Sequence, residues 1–200
     1  MSILNNCPTC HLKHNCVCEY LPDVSISAHL ALLMHNNEIH RKTNTGQWLL
    51  KSIKQTSQHI WERKAPCVEL ERLINDEKYQ ACLLFPSEDS QPIEPFIQKG
   101  KTANKIPLFV ILDGTWQEAK KMRNKSPWLK SLPLIHLNPT QLSDYKLRRN
   151  QYVNHLCTLE VGADIIRSLG QPTQADNLTH FLTRYMAAFQ ADRSGHPLNY

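Results

Sequence analysis

Two short stretches gather the groups able to do chemistry: Asp113-Gly114-Thr115-Trp116 and Cys157-Thr158-Leu159-Glu160. The first closes the apolar run Ile106 to Leu112. Thr115 then stands three residues before Glu118, the spacing of a capping box at a helix start. A carboxylate at a strand end, beside a helix N-terminus, is well placed to meet a polar ligand. A strand-turn-helix corner in which Thr115 only caps and Trp116 only packs satisfies the same spacing. In the second stretch, Thr158 is expected to cap a helix with Leu159, Ala163 and Ile166 on one face. Gly170 and Pro172 supply its stop.

A third cluster has metal-ligand chemistry. Four of the seven cysteines form Cys7-x2-Cys10-x5-Cys16-x-Cys18. Four thiols in so short a span fit a tetrahedral zinc site better than a redox pair. The loop from Pro8 to Asn15 has little apolar content from which to fold, so ligation would supply the missing energy. His11 or His14 could replace one thiolate. A disulfide pair is the rival arrangement, disfavoured where thiols stay reduced. Four protein ligands leave no open position, so the zinc is expected to be structural. Cys67, Cys82 and Cys157 are scattered and read as buried core cysteines.

Charge is distributed unevenly around the first stretch. The chain carries a net +5, yet residues 99–149 hold eleven Lys or Arg against only Asp113, Glu118 and Asp144. The segment is therefore basic and the remainder acidic. A basic segment around a candidate site suggests a polyanionic partner, nucleic acid being the commonest; a solvated helix face is the plain alternative. Apolar content of 41% with 20% charged residues belongs to an ordinary globular chain, and 200 residues suffice for one sizeable core. No apolar run approaches the roughly 20 residues that span a bilayer, and the N-terminus lacks a signal-peptide pattern. These features predict a soluble, cytoplasmic protein without a membrane, and no obligate protein partner is inferred.

The elements that must position these groups alternate. Strands are expected at Ser27 to His35, weakly at His59 to Arg63, at Ala81 to Phe85, at the run ending on Asp113, and at Leu134 to Leu137. Helices are expected after Asn44-Thr45-Gly46, carrying Leu49, Leu50 and Ile53, then from Thr115 to about Asn124, from Thr158, and from Gln174 to Ala191. Lys99 to Lys105 reads as a basic loop. Strands alternating with helices argue for an α/β fold with a mostly parallel sheet covered on both faces. Ligands then bind at the carboxyl ends of strands, which makes the Phe85-Pro86-Ser87 and Leu112-Asp113-Gly114 ends natural pocket walls. No Gly-x-Gly-x-x-Gly and no Walker loop is present. Leu21-Pro22-Asp23 separates a cysteine knuckle, residues 1–22, from the main domain, residues 23–200.

The ordered set of landmarks resembles the DTW-domain family, named for Asp-x-Thr-Trp. Beside Asp113-Gly114-Thr115-Trp116 stand the two cysteine pairs, Glu38 with Arg41, Asn44-Thr45-Gly46, and Leu84-Phe85-Pro86-Ser87. Tyr145-x-Leu147-Arg148 and Leu156-Cys157-Thr158-Leu159-Glu160 complete it. Cys157 and Val161 depart from the family's serine and alanine. Bacterial members similar to this chain are tRNA-uridine aminocarboxypropyltransferases. They move the 3-amino-3-carboxypropyl group of S-adenosylmethionine to N3 of a uridine in the tRNA variable loop. The family's fold is related to the knotted SPOUT methyltransferases, so the resemblance also implies a knot.

That resemblance assigns roles. Uridine N3 must lose a proton, and Asp113 is the leading candidate to accept it. Holding the donor's sulfonium or amino group is its competing role. Carboxylates are weak acceptors, ordinarily near ~3.9. Trp116 would stack on a base and Thr115 touch substrate. Phe85, Pro86, Ser87, Leu112, Gly114, Thr158, Leu159 and Glu160 would line the donor site, with Arg148 holding a carboxylate or phosphate. Lys120, Lys121, Arg123, Lys125 and Arg149 would hold RNA phosphates. A SPOUT-like RNA methyltransferase using the same donor is one alternative; a zinc-bearing RNA-binding protein without catalysis is another.

Overall fold

Apolar runs bury on both sides in the middle of the sheet. The computed structural model describes residues 6–138, 143–147 and 156–198. Its strands are β1 (His29–Met34), β2 (Thr56–Ile60), β3 (Tyr79–Leu84), β4 (Gln91–Pro92), β5 (Ile106–Asp113) and β6 (Leu134–His136). They form one sheet in the order β2-β1-β5-β3-β6-β4, parallel throughout. β5 lies between β1 and β3, in register from His29↔Leu108 to Met34↔Asp113 and from Tyr79↔Ile106 to Leu84↔Ile111. This places Asp113 at the carboxyl end of a central strand. All strands point the same way, so the ends of β1, β3 and β6 share that edge.

The pleat sends alternate residues to opposite faces. Leu30, Leu32, Cys82, Phe109 and Ile111 pack on one side with α1 (Gly46–Ser52), α3 (Ile93–Thr102), α5 (Thr158–Ser168) and α6 (Pro172–Arg193). Ala31, Leu33, Leu83, Leu108 and Val110 pack on the other with α2 (Val68–Asn75) and α4 (Trp116–Lys125). Helices on both faces and a parallel sheet are what the alternating pattern predicts. α1 and α5 approach so closely that a Cβ at Gly162 would stand 2.5 Å from Leu49 Cδ2.

Several local expectations change. Lys99 to Thr102 are the last turn of α3, not a loop. Lys99 and Lys101 face the negative end of the helix dipole, and Ile93, Phe96 and Ile97 give the helical spacing that marks the segment. β2 begins at Thr56 rather than His59, because pairing with β1 imposes extended backbone on polar residues. After the Trp61 N–H reaches Met34 O at 2.9 Å, Glu62 and Arg63 leave the sheet. Thr158 is the first helical residue, and Cys157 takes the cap position before it. Residues 139–142 and 148–155, through which the chain continues after β6, lie outside the described residues, and with them any knot.

Candidate active site and metal centre

Asp113 is 1% exposed, and both its oxygens are engaged. Asn44 donates Nδ2–H to Oδ2 at 2.8 Å, and the Thr158 hydroxyl donates to Oδ1 at 2.6 Å. The same Asn44 amide donates to Glu38 Oε2 at 3.0 Å, so one NH2 group bridges two buried carboxylates. Arg41 pairs with the other oxygen of Glu38. Thr45 Oγ1 accepts the Leu159 N–H at 3.3 Å, joining the starts of α1 and α5. Asn44 also caps α1, its Oδ1 taking the Gln47 N–H at 2.9 Å. Gly46 is required by space: a Cβ there would lie 2.5 Å from Asp113 Oδ2. Thus residues from the end of β5, the start of α1 and the start of α5 meet within hydrogen-bonding distance.

The remainder of the Asp113-Gly114-Thr115-Trp116 stretch turns to the opposite face. Thr115 and Glu118 form the expected capping box: the Thr115 N–H donates to Oε2 at 2.8 Å and the Glu118 N–H to Thr115 Oγ1 at 3.3 Å. A Cβ on Gly114 would come within 3.1 Å of Glu118 Cβ. Asn37 donates to Glu118 Oε1 at 2.7 Å. Burial works to raise the Glu118 carboxyl, but the Thr115 amide and Asn37 outweigh it and hold it below its ordinary value. The Trp116 ring stacks on Phe85, centroids 5.1 Å apart and planes 11° from parallel. Arg123 lies 4.8 Å over the Phe85 ring, Lys120 5.2 Å over Trp116, and Lys121 5.8 Å over Trp61. Leu112 packs against this same side of the core. Three of the four basic residues assigned to α4 therefore sit over aromatic faces, and Lys125 is exposed at the helix end.

Glu160 is 8% exposed and accepts from the Cys157 N–H at 2.7 Å, the Ser143 hydroxyl at 2.8 Å and the Asp144 N–H at 2.9 Å. It therefore fastens residues 143–145 to the start of α5. Tyr145 continues that link by donating its hydroxyl to Thr43 O at 2.6 Å. The Leu159 side chain is fully buried in the core. Pro86 is exposed, whereas Ser87 Oγ is buried without a hydrogen-bond partner among the described residues. Arg148 and Arg149 lie outside the described residues. Glu38 enters the sequence reading only as a family landmark beside Arg41, whereas Asn44 and Gly46 are site residues that spacing alone reads only as the start of a helix. Their signal is the polar Asn-Thr-Gly set placed where the chain returns to the carboxyl edge of the sheet.

Cys7, Cys10, Cys16 and Cys18 bring their four sulfurs within 4.8 Å of one another. Contacts of 3.7 Å for Cys7–Cys18, 3.8 Å for Cys10–Cys16 and 3.6 Å for Cys16–Cys7 are far too long for disulfides. Bonds of about 2.3 Å from a tetrahedral metal imply sulfur separations of about 3.8 Å, so this set could hold a metal ion. The amides of Cys10 and Thr9 pull the Cys7 thiol down to about 6, towards the ligating form. Lys51 of α1 reaches Thr9 O at 2.8 Å. Asp192 of α6 accepts the backbone N–H groups of Lys13, His14 and Asn15 at 2.9, 2.6 and 3.2 Å. No helix among the described residues is long and apolar enough to cross a membrane.

A family model described as the DTW domain matches residues 4–190. Among curated proteins, the chain is 29% identical over 161 residues to tRNA-uridine aminocarboxypropyltransferase 2 of Drosophila melanogaster, covering 77% of this chain and 62% of that one. It is 27% identical over 157 residues to the Mus musculus protein of the same name, covering 74% and 50%. The chain thus spans between half and two thirds of the length of these relatives. No solved structure matches.

Proposed function

The chain belongs to the DTW domain family, and from that premise we propose that it transfers the 3-amino-3-carboxypropyl group of S-adenosylmethionine to N3 of a uridine in the tRNA variable loop. The observation that supports this reading is the convergence on Asp113. Asn44 and Thr158, 69 and 45 residues away in sequence, donate to its two oxygens. Each belongs to a separate family landmark.

S-adenosylmethionine, when bound, supplies a sulfonium that activates the Cγ–S bond. The residues present fit such a donor. Two carboxylates held by Asn44 provide fixed negative charge for its cationic end, and the orphan Ser87 hydroxyl offers a polar contact at the same sheet edge. With both oxygens already engaged, and with Trp116 on the other face, Asp113 suits the donor side better than proton acceptance. Phe85, Pro86, Leu112, Gly114, Thr158, Leu159 and Glu160 build the walls of that edge, Leu159 and Glu160 by fixing α5 and the loop before it. Arg148 is assigned to an anion of donor or tRNA. Trp116 offers a base-stacking face worth about 1–3 kcal/mol per base. Lys120, Lys121, Arg123, Lys125 and Arg149 meet phosphates, and displacing a lysine from an aromatic face opens that face to a base. Zinc on the four cysteines is structural, since no position stays open. The residues 1–22 and 23–200 division, the knot, and a cytoplasmic setting belong to the same reading.

The test is to incubate the protein with tRNA and S-adenosylmethionine, digest the tRNA to nucleosides and identify them by mass. Aminocarboxypropyl-uridine is the expected product. Methyluridine would assign a methyltransferase instead, and unmodified tRNA would leave a binding protein.

A further inference from the structure

We propose that His136 is the base that takes the N3 proton of the uridine; this rests on the transferase reading above. His136 is the last residue of β6 and lies at the same carboxyl edge as Asp113, two strands away, or roughly 10 Å at ordinary strand spacing. It follows the register pair Leu84↔Ile135, and Ile135 packs on the α1 and α5 side. Alternation therefore turns His136 to the α4 side, where Phe85, the residue after Leu84, stacks on Trp116. It is half-buried, on the face assigned to the nucleobase.

Hydrogen bonds set which ring nitrogen is basic. The Ser90 hydroxyl donates its only hydrogen to Ser87 O at 2.6 Å. Its oxygen accepts the Ser87 N–H at 3.1 Å, so at 2.9 Å from His136 Nδ1 it can only accept again. Nδ1 must then carry the hydrogen, leaving Nε2 with a lone pair in the neutral ring. Nε2 has no partner among the described residues. Imidazole is also closer in basicity to the uracil N3 anion than a carboxylate is, so less driving force is lost. In the step, Nε2 takes the N3 proton and the N3 electron pair forms the bond to the donor's Cγ. The Cγ–S pair leaves on sulfur, giving neutral methylthioadenosine and protonated His136.

A purely structural His136 would tie β4 to β6 through Ser90, and His136→Asn keeps a side-chain N–H for that bond while removing the base. The expected result is a fall in kcat of about 10²–10⁴, with the KM for the donor changed less than about threefold. The acid limb of the pH–rate profile should disappear with it. In His136→Ala, added imidazole should restore turnover. Nitrogen-15 spectra of the unliganded protein should show that the neutral His136 ring carries its hydrogen on Nδ1. If wild type releases methylthioadenosine and His136→Asn keeps both its rate and its pH profile, the inference fails alone. If wild type releases none, the transferase reading fails and carries this one with it.

Discussion

Asp113 is set in place by its neighbours before any ligand arrives. Replacing it by asparagine turns one of its two acceptor oxygens into an N–H group facing a donor, Asn44 or Thr158. An unmatched buried donor costs about 1–3 kcal/mol, which denaturant unfolding will register. Donor affinity should fall at least tenfold along with transfer. If affinity survives while transfer is lost, Asp113 is the proton acceptor and not the donor-side anion. Gly46→Ala makes the same point by space, since its new Cβ would press on Asp113 Oδ2. Forcing that carboxylate aside should cost about 1–3 kcal/mol by thermal unfolding, and most of the transfer activity. Asp113 itself was legible from its position after an apolar run. Its contacts with Asn44 and Thr158 were not, because both residues read locally as helix starts, and only the sheet topology brings the two starts to one strand end.

Among the elements, α4 has a start held by its own first turn. Its start was legible because a capping box is a local signal, with both bonds formed between residues three apart. Thr115→Ala should cost about 0.5–2 kcal/mol of stability in denaturant titration. Glu118 adds a pH dependence. Its carboxyl is held below the ordinary value, so its contribution is present above the unfolded value of about 4.3 and is lost as pH falls through the folded one. Glu118→Gln should flatten that acid limb, as thermal unfolding between pH 3 and 6, roughly that window, will show. β2 and α3 were less legible. β2 is extended because β1 offers it hydrogen bonds, not because Thr56 to Ile60 alternate. The lysines of α3 resemble a loop unless its Ile93, Phe96 and Ile97 face is counted.

For the molecule as a whole, the sheet divides the site. Asp113 and its donors lie on the α1 and α5 side, and Trp116, Phe85 and the α4 cations lie on the other. A reaction joining donor to nucleobase would then take place across the carboxyl edge, where a parallel sheet leaves a crevice. The cysteine centre joins this arrangement through α1, whose Lys51 reaches Thr9 O between the cysteines and whose start follows Asn44 and Thr45. Asp192→Ala should free the Lys13 to Asn15 backbone and weaken metal binding, measured by competition with a chelator. Chelation of the wild-type protein should lower its Tm by several degrees, since ligation substitutes for a core that residues 7–18 cannot build. The most direct measurement of the central claim is the small molecule released from S-adenosylmethionine when tRNA is present. Methylthioadenosine is predicted; S-adenosylhomocysteine, or no tRNA-dependent product at all, would contradict it.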